Sequence, residues 1–327
     1  MIDFEYVKPK TFKEAGNILL KESGTAMPYS GGTDLLGLIK DKILRPQKLV
    51  DLKSVKGNDG IEFIEGEGLK IGAMVRIAEI AESEIIKSRF PILSEAANEV
   101  TSPQIKNMGT LGGNLCQRPR CFYFRGDFDC IRKGGNTCYA YDGNNKYHCI
   151  IGGGPCYIVH PSDIAVALLA LSAKLVIYRK GEMKEIPLSE FFVLPDENYL
   201  YENILKAGEF ITGVIIPETP SGTKSSYIKI KERGAWDFAI VSVGAVIETN
   251  GDIIRKSRIA FGGVAPKPWM DGNLNRVLSG MELTDSAIEY AAANTLMDAE
   301  PLSMNNYKVI LTRNLIKKLL TDLRSKS

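Results

Sequence analysis

The 327-residue sequence has only two histidines, His148 and His160. Neither belongs to an H-E-x-x-H helix, and there is no G-x-S-x-G elbow, so the usual signatures of zinc proteases and serine hydrolases are missing. Charge of one sign is also lacking. With 41 basic and 39 acidic residues, there is no electrostatic footprint for nucleic acid. The longest near-apolar run, Ile164 to Ala173, falls short of the ~20 residues that cross a bilayer. The first residues, Met1-Ile2-Asp3-Phe4-Glu5, do not show the basic-then-apolar pattern of a signal peptide. A soluble, cytoplasmic protein with no membrane or nucleic-acid partner is expected. In a reducing compartment the six cysteines are not expected to form structural disulfides. Two nucleotide-binding signatures are absent as well, since no glycine loop ends in Gly-Lys-Ser/Thr and none reads G-x-G-x-x-G.

What is present points to more than one domain, because 327 residues are many for a single core. Apolar spacing predicts helices over Phe12 to Lys21, Val75 to Ser83 and Ile92 to Val100, and buried strands at Lys48 to Leu52 and Gly68 to Ile71. From Gly109 to Pro161 the periodicity breaks, and this 53-residue stretch carries all six cysteines. A loop of that length inside a compact domain is functional or disordered, and its cysteines favour function. Ser162 then reads as the N-cap of a helix from Asp163 to Ala173. A hairpin follows, Lys174 to Tyr178 and Lys184 to Leu188, turning at Lys180-Gly181. Pro217 to Lys224 reads as a linker. Strands at Ser226 to Ile230, Ala239 to Ile247 and Ile253 to Phe261 precede helices at Ser286 to Met297 and Asn305 to Leu323. Strands followed by helices suggest a separate α+β C-terminal domain.

Two glycine-rich segments could carry chemistry. Ser30-Gly31-Gly32-Thr33-Asp34 opens a short helix, and Thr110-Leu111-Gly112-Gly113-Asn114 has the same ingredients. Glycine lets backbone approach a ligand closely, and amides at a helix start favour phosphate. Either loop alone reads first as an ordinary turn, but two together suit the two phosphates of a dinucleotide cofactor and bring the two readings level. Cys121, Cys130, Cys138 and Cys156 are spaced C-x8-C-x7-C-x17-C, with Cys116 and Cys149 besides. Structural zinc prefers tight C-x2-4-C knuckles, whereas iron–sulfur clusters take four thiolates at wider spacing. Free thiols are the alternative, and spacing does not decide. Both histidines read as structural. Lys229, Lys231 and Arg233 alternate on a strand and share one face, which by default is solvated.

Together these motifs resemble the FAD-binding subunits of the xanthine dehydrogenase family. The resemblance rests on Tyr29 to Leu36, Thr110 to Asn114, His160-Pro161-Ser162-Asp163, Tyr227 to Arg233 with Phe238 to Val241, Gly262 to Trp269, and Asn306-Tyr307-Lys308. It covers nearly the whole chain in the expected order. It implies an α+β fold with a two-part FAD-binding domain of the vanillyl-alcohol-oxidase (PCMH) type over residues 1–219. A C-terminal α+β domain of the CO dehydrogenase flavoprotein type would fill residues 220–327. The run Asn114 to Cys121 and the cysteine-bearing insertion at 109–161 are similar to two relatives. These are the flavin subunits of 4-hydroxybenzoyl-CoA reductase and of bacterial molybdenum aldehyde oxidoreductases, which carry a [4Fe–4S] cluster there.

Residue by residue, the resemblance implies that Ser30, Gly31, Gly32, Thr33 and Asp34, with Thr110, Gly112, Gly113 and Asn114, hold the FAD pyrophosphate through backbone amides. Asp163 would accept hydrogen bonds from the ribityl hydroxyls, and Lys229 would sit near the isoalloxazine. Cys121, Cys130, Cys138 and Cys156 would be the cluster ligands, with Cys156 in preference to Cys149. No residue is assigned a catalytic role, because the cofactors do the difficult chemistry. The implied partners are a molybdenum-cofactor large subunit, a [2Fe–2S] small subunit and an external electron carrier. Two rivals differ in kind: a self-contained FAD-dependent oxidase, and a zinc-stabilised nucleotide-binding module.

Overall fold

A computed structural model describes residues 3–234 and 236–325. Three sheets and the helices between them form the fold. The first sheet is parallel, ordered β1 (Glu5–Val7), β3 (Lys48–Asp51), β2 (Ala26–Tyr29). Its strands are joined by the helices Phe12–Lys21 and Leu35–Lys40, the crossovers that parallel pairing requires. Thr11 caps the first of these helices, accepting from the Glu14 amide.

The second sheet is antiparallel, in the order β4 (Ile61–Ile64), β5 (Gly68–Gly72), β8 (Phe210–Ile216), β6 (Lys174–Arg179), β7 (Glu182–Pro187). Leu69 pairs with Ile216 and Gly72 with Gly213, so chain from either side of the cysteine-bearing stretch is stitched together. The β6–β7 hairpin turns through Lys180 and Gly181 at φ +50° and +94°, the left-handed pair that a two-residue turn needs.

The third sheet, β12 (Trp269–Met270), β11 (Ile253–Gly262), β10 (Val241–Asn250), β9 (Lys224–Ile230), is antiparallel throughout. The helix Tyr307–Ser325 packs on it, burying Leu315, Ile316, Leu319, Leu320 and Leu323 against Val243, Ile247 and Ile259. Between this sheet and the rest lies the helix Asp163–Ala170, started by Ser162, whose hydroxyl accepts from the Ala165 amide at 3.0 Å. All eight of its residues are buried, and each large aliphatic among them contributes about 1.5–3 kcal/mol. Their packing ties two hydrophobic cores into one body. The predicted continuation of this helix to Ala173 fails at Ser172, which takes φ +56°. The helix predicted to end at Met297 stops at Ala293. The stretch 109–161 is not without structure, since Leu111–Leu115 and Phe122–Arg125 are short helices.

Candidate cofactor-binding site

The two glycine loops follow β2 and the helix Pro103–Met108, and they meet. Thr110 Oγ1 donates to Ser30 Oγ at 3.0 Å. A Cβ on Gly31 would stand 2.0 Å from the Met108 carbonyl oxygen, and one on Gly113 would stand 2.9 Å from Ser30 Oγ. Gly32 takes φ +71°, open to glycine and costly for a branched side chain. Among the described residues, the amides of Gly31, Gly32, Thr33 and Asp34 donate to no protein acceptor. They form a cradle of unspent donors of the kind that holds phosphate. The second loop differs. Its Gly112 amide donates to Ala73 O, Gly113 to Thr110 Oγ1 and Asn114 to Thr110 O. What it brings is close approach and the polar side chains of Thr110 and Asn114.

Two adjoining cavities, of about 210 and 170 Å³, share Thr33, Asp34, Gly113 and Gln117 as walls. One runs past the first loop towards Leu38 and Leu44; the other ends at Asp163, Lys229 and Phe238. Asp163 opens the buried helix. Its carboxylate accepts from Lys229 Nζ at 2.7 Å and from the Tyr227 hydroxyl at 2.6 Å. Burial pushes the carboxyl above its ordinary range, while Lys229 and Tyr227 pull it down. Burial and the neighbouring Asp163 hold the Tyr227 phenol well above the usual value. Lys229 also donates to Glu99 O at 3.0 Å. The alternating basic face therefore does not behave as a solvated one: the Lys229 side chain is 1% exposed, and Lys231 pairs with Glu99.

Asp34 faces the other way. It accepts from the Arg118 amide at 2.7 Å and pairs with Arg120 and Arg125 at 2.9 and 2.7 Å. The same residue thus ends the glycine loop and anchors the turn leading to Cys121.

Cys121, Cys130, Cys138 and Cys156 all line one small cavity, whose walls also include Tyr123, Phe124, Arg132, Ile158 and His148. Cys116 and Cys149 are not among its walls. Cys138 is lowered to about 6 by its hydrogen bond with Cys156, which the same contact pushes up. Burial raises Cys116 and Cys149 to about 12. Arg132 is buried beside the cavity, 3.9 Å from Cys156 Sγ, and pairs with buried Glu202. Among the described residues no three His, Cys, Asp or Glu side chains converge as ligands of a single ion.

Comparison with known proteins now decides the family. Residues 2–219 match the FAD binding domain in molybdopterin dehydrogenase, and residues 226–323 match the CO dehydrogenase flavoprotein C-terminal domain. The chain belongs to the FAD-binding subunits of the xanthine dehydrogenase family. It is 33% identical to the aldehyde oxidoreductase FAD-binding subunit PaoB of Escherichia coli, over 99% of each chain. It is 26% identical to the carbon monoxide dehydrogenase medium chain of Hydrogenophaga pseudoflava, over 97% of this chain and 96% of that one. A chain of Hydrogenophaga carbon monoxide dehydrogenase lacking the Mo-pyranopterin moiety superposes with a TM-score of 0.79 at 24% identity, covering 99% of both. A chain of cyanide-inactivated Cu,Mo-CO dehydrogenase gives 0.79 at 22%, over the whole of both.

In this FAD-binding subunit most residues expected from the sequence to meet the flavin, Ser30 to Asp34, Thr110, Gly113, Asn114, Asp163 and Lys229, line the same pair of cavities, whereas Gly112 lines neither and spends its amide on Ala73 O. Tyr227 was missed. Its place two residues before Lys229 on one strand put both on one face, and that spacing was the available signal. Nothing local marked Glu202, which lies 70 residues from Arg132. Both histidines are buried, and burial lowers His148 to about 4 and His160 to about 3. His148 Nε2 lies 3.2 Å from Cys121 Sγ, and His160 stacks edge-on against Phe192. Among the described residues no helix is long and apolar enough to cross a membrane.

Proposed function

We propose that this subunit relays electrons within a multi-subunit molybdenum oxidoreductase, between partner iron–sulfur and molybdenum centres and an external carrier, using FAD and a [4Fe–4S] cluster of its own. The observation that carries the cluster is the shared cavity of Cys121, Cys130, Cys138 and Cys156, from which Cys116 and Cys149 are left out. Four thiolates of a cubane each bind a different iron and stand apart by the width of the cluster. A structural zinc needs its four ligands converging on one point, which no group among the described residues offers. The cavity encloses only about 10 Å³, about the room of one water. Loading therefore requires the thiol side chains to swing apart as they lose their protons.

The chain's own groups fit the flavin. The amides of Gly31 to Asp34 would take the pyrophosphate, Asp163 would accept from sugar hydroxyls, and Lys229 would place a cation by the ring, where it favours negative charge. Bound flavin supplies the junction between one-electron and two-electron carriers, and the protein orients it and keeps it dry. Two relatives are named as medium chains of carbon monoxide dehydrogenase and another as a nicotinate dehydrogenase FAD-subunit. Those names support large and small partner subunits here, and the family matches over 2–219 and 226–323 support residues 1–219 and 220–327 as the two domains.

Serine substitutions test the ligand set. In anaerobic preparations Cys121→Ser, Cys130→Ser, Cys138→Ser and Cys156→Ser should each lose the broad cluster absorbance, while Cys116→Ser and Cys149→Ser keep it. Loss with Cys149→Ser and retention with Cys156→Ser would overturn the assignment.

A further inference from the structure

We propose that the apolar cavity between the cysteine segment and residues 232–233 and 237–240 binds a planar, quinone-class oxidant that takes electrons from this subunit. The proposal rests on the electron-relay reading and names the chemistry of its external carrier. The cavity encloses about 330 Å³, within the range of roughly 300–1,000 Å³ for small-ligand sites. Phe122, Tyr147, His148, Val159, Phe238 and Ile240 supply its apolar and aromatic walls. Its position matters most. Arg120, Asp237 and Phe238 wall this cavity and the flavin cleft alike, and Cys121 walls this cavity and the cysteine cavity. An occupant would therefore sit beside both proposed cofactors, separated from the flavin cleft by the Arg120 guanidinium 5.0 Å over the Phe238 ring.

Two polar side chains of the wall, Arg120 and His148, can serve a ligand with carbonyl oxygens once they turn towards it. Arg120 Nε and His148 Nδ1 are buried and have no hydrogen-bond partner among the described residues, a state that costs about 1–3 kcal/mol each when nothing fills it. Arg120 Nε–H can donate to a carbonyl oxygen. With Nε2–H directed to the Cys121 sulfur, His148 Nδ1 keeps a lone pair that can accept from a hydroxyl. A quinone has the first group when oxidised and the second when reduced. In the step, the quinone takes two electrons and two protons, and its two C=O bonds become C–OH. Both electrons leave the reduced flavin, which returns to the oxidised form and releases its protons to water. The quinone draws its two from water at the rim beside Glu232 and Asp237.

The test is equilibrium binding of duroquinone to the full-length, flavin-loaded chain, followed by calorimetry. Every ring carbon of duroquinone is substituted, so cysteines do not add to it. One saturable site per chain is expected. Ala239→Phe, which puts a phenyl group into the cavity, should weaken binding at least about tenfold, with flavin content unchanged. Val159→Phe, on another segment of the wall, should do the same and serves if the first variant does not fold. Stopped-flow reoxidation of the reduced chain should saturate with duroquinone in the parent and become slower and linear in the variants. Absence of saturable binding, or equal affinity in the parent and a folded cavity-filling variant, overturns the proposal. A chain that cannot be loaded with flavin defeats the electron-relay reading instead. A flavin-loaded chain that ignores duroquinone defeats only this inference.

Discussion

Removing Lys229 leaves the Asp163 carboxylate buried with, among the described residues, only the Tyr227 hydroxyl as side-chain partner, and breaking a buried ion pair from one side costs about 3–5 kcal/mol. Lys229→Met should therefore lower the unfolding free energy of the flavin-free chain by that order and weaken flavin retention. The double change Lys229→Met with Asp163→Leu should recover most of the stability, since well-packed apolar residues can replace a buried pair, yet it should not recover the flavin. Urea denaturation and flavin release give the two readouts. A loss under about 1 kcal/mol in the single variant contradicts the buried pair. His160 gives a pH dependence of known sign. Burial depresses it to about 3 from 6.5, so its contribution to stability is present above pH 6.5 and is lost as pH falls towards 3, because the unfolded chain binds the proton more tightly. Thermal unfolding between pH 6.5 and 4 should show a falling Tm, and His160→Gln should flatten that slope. An unchanged slope contradicts the assignment.

The same dependence on distant partners governs the elements. The helix at 163–170 was legible because Ser162 is a strong cap ahead of a wholly apolar run, and the β6–β7 hairpin because Lys180-Gly181 tolerates positive φ. The parallel sheet was less legible: β1 and β2 span three and four residues, and such short strands carry little periodicity. β8, Phe210–Ile216, is apolar apart from Thr212 and Gly213 and shows no alternation; its strand character comes from β5 and β6 on either side. The glycine loops were legible as loops, but their mutual contact was not, since Ser30 and Thr110 lie 80 residues apart. That contact gives a prediction. Gly31→Ala sets a methyl group against the Met108 carbonyl and must push the loops apart. Flavin affinity should fall at least about tenfold, a change of ~1.4 kcal/mol, with far-UV circular dichroism unchanged. Affinity equal to the parent contradicts the loop–loop contact.

For the whole molecule, the cysteine segment is held by the C-terminal core rather than hanging from the flavin domain. Ile150 and Ile151 join that core, and Asn305 Nδ2 donates to the His148 and Cys149 carbonyls. Buried Lys308 gives its ammonium to the carbonyls of Tyr147, His148 and Gly263 at 2.7–3.0 Å. The Asn306-Tyr307-Lys308 motif, recognised only by family resemblance, thus acts as a clamp across the chain. With the flavin cleft on one side and the cysteine cavity on the other, Asp34 and its arginines connect the two. The central claim is that both compartments are filled in one chain. Flavin, iron and acid-labile sulfide measured together on the complex, purified anaerobically from its own cells and resolved into subunits, test it most directly. The account predicts one FAD, about four iron and about four sulfide in this subunit. Flavin without iron, or stoichiometric zinc in place of iron, would contradict it.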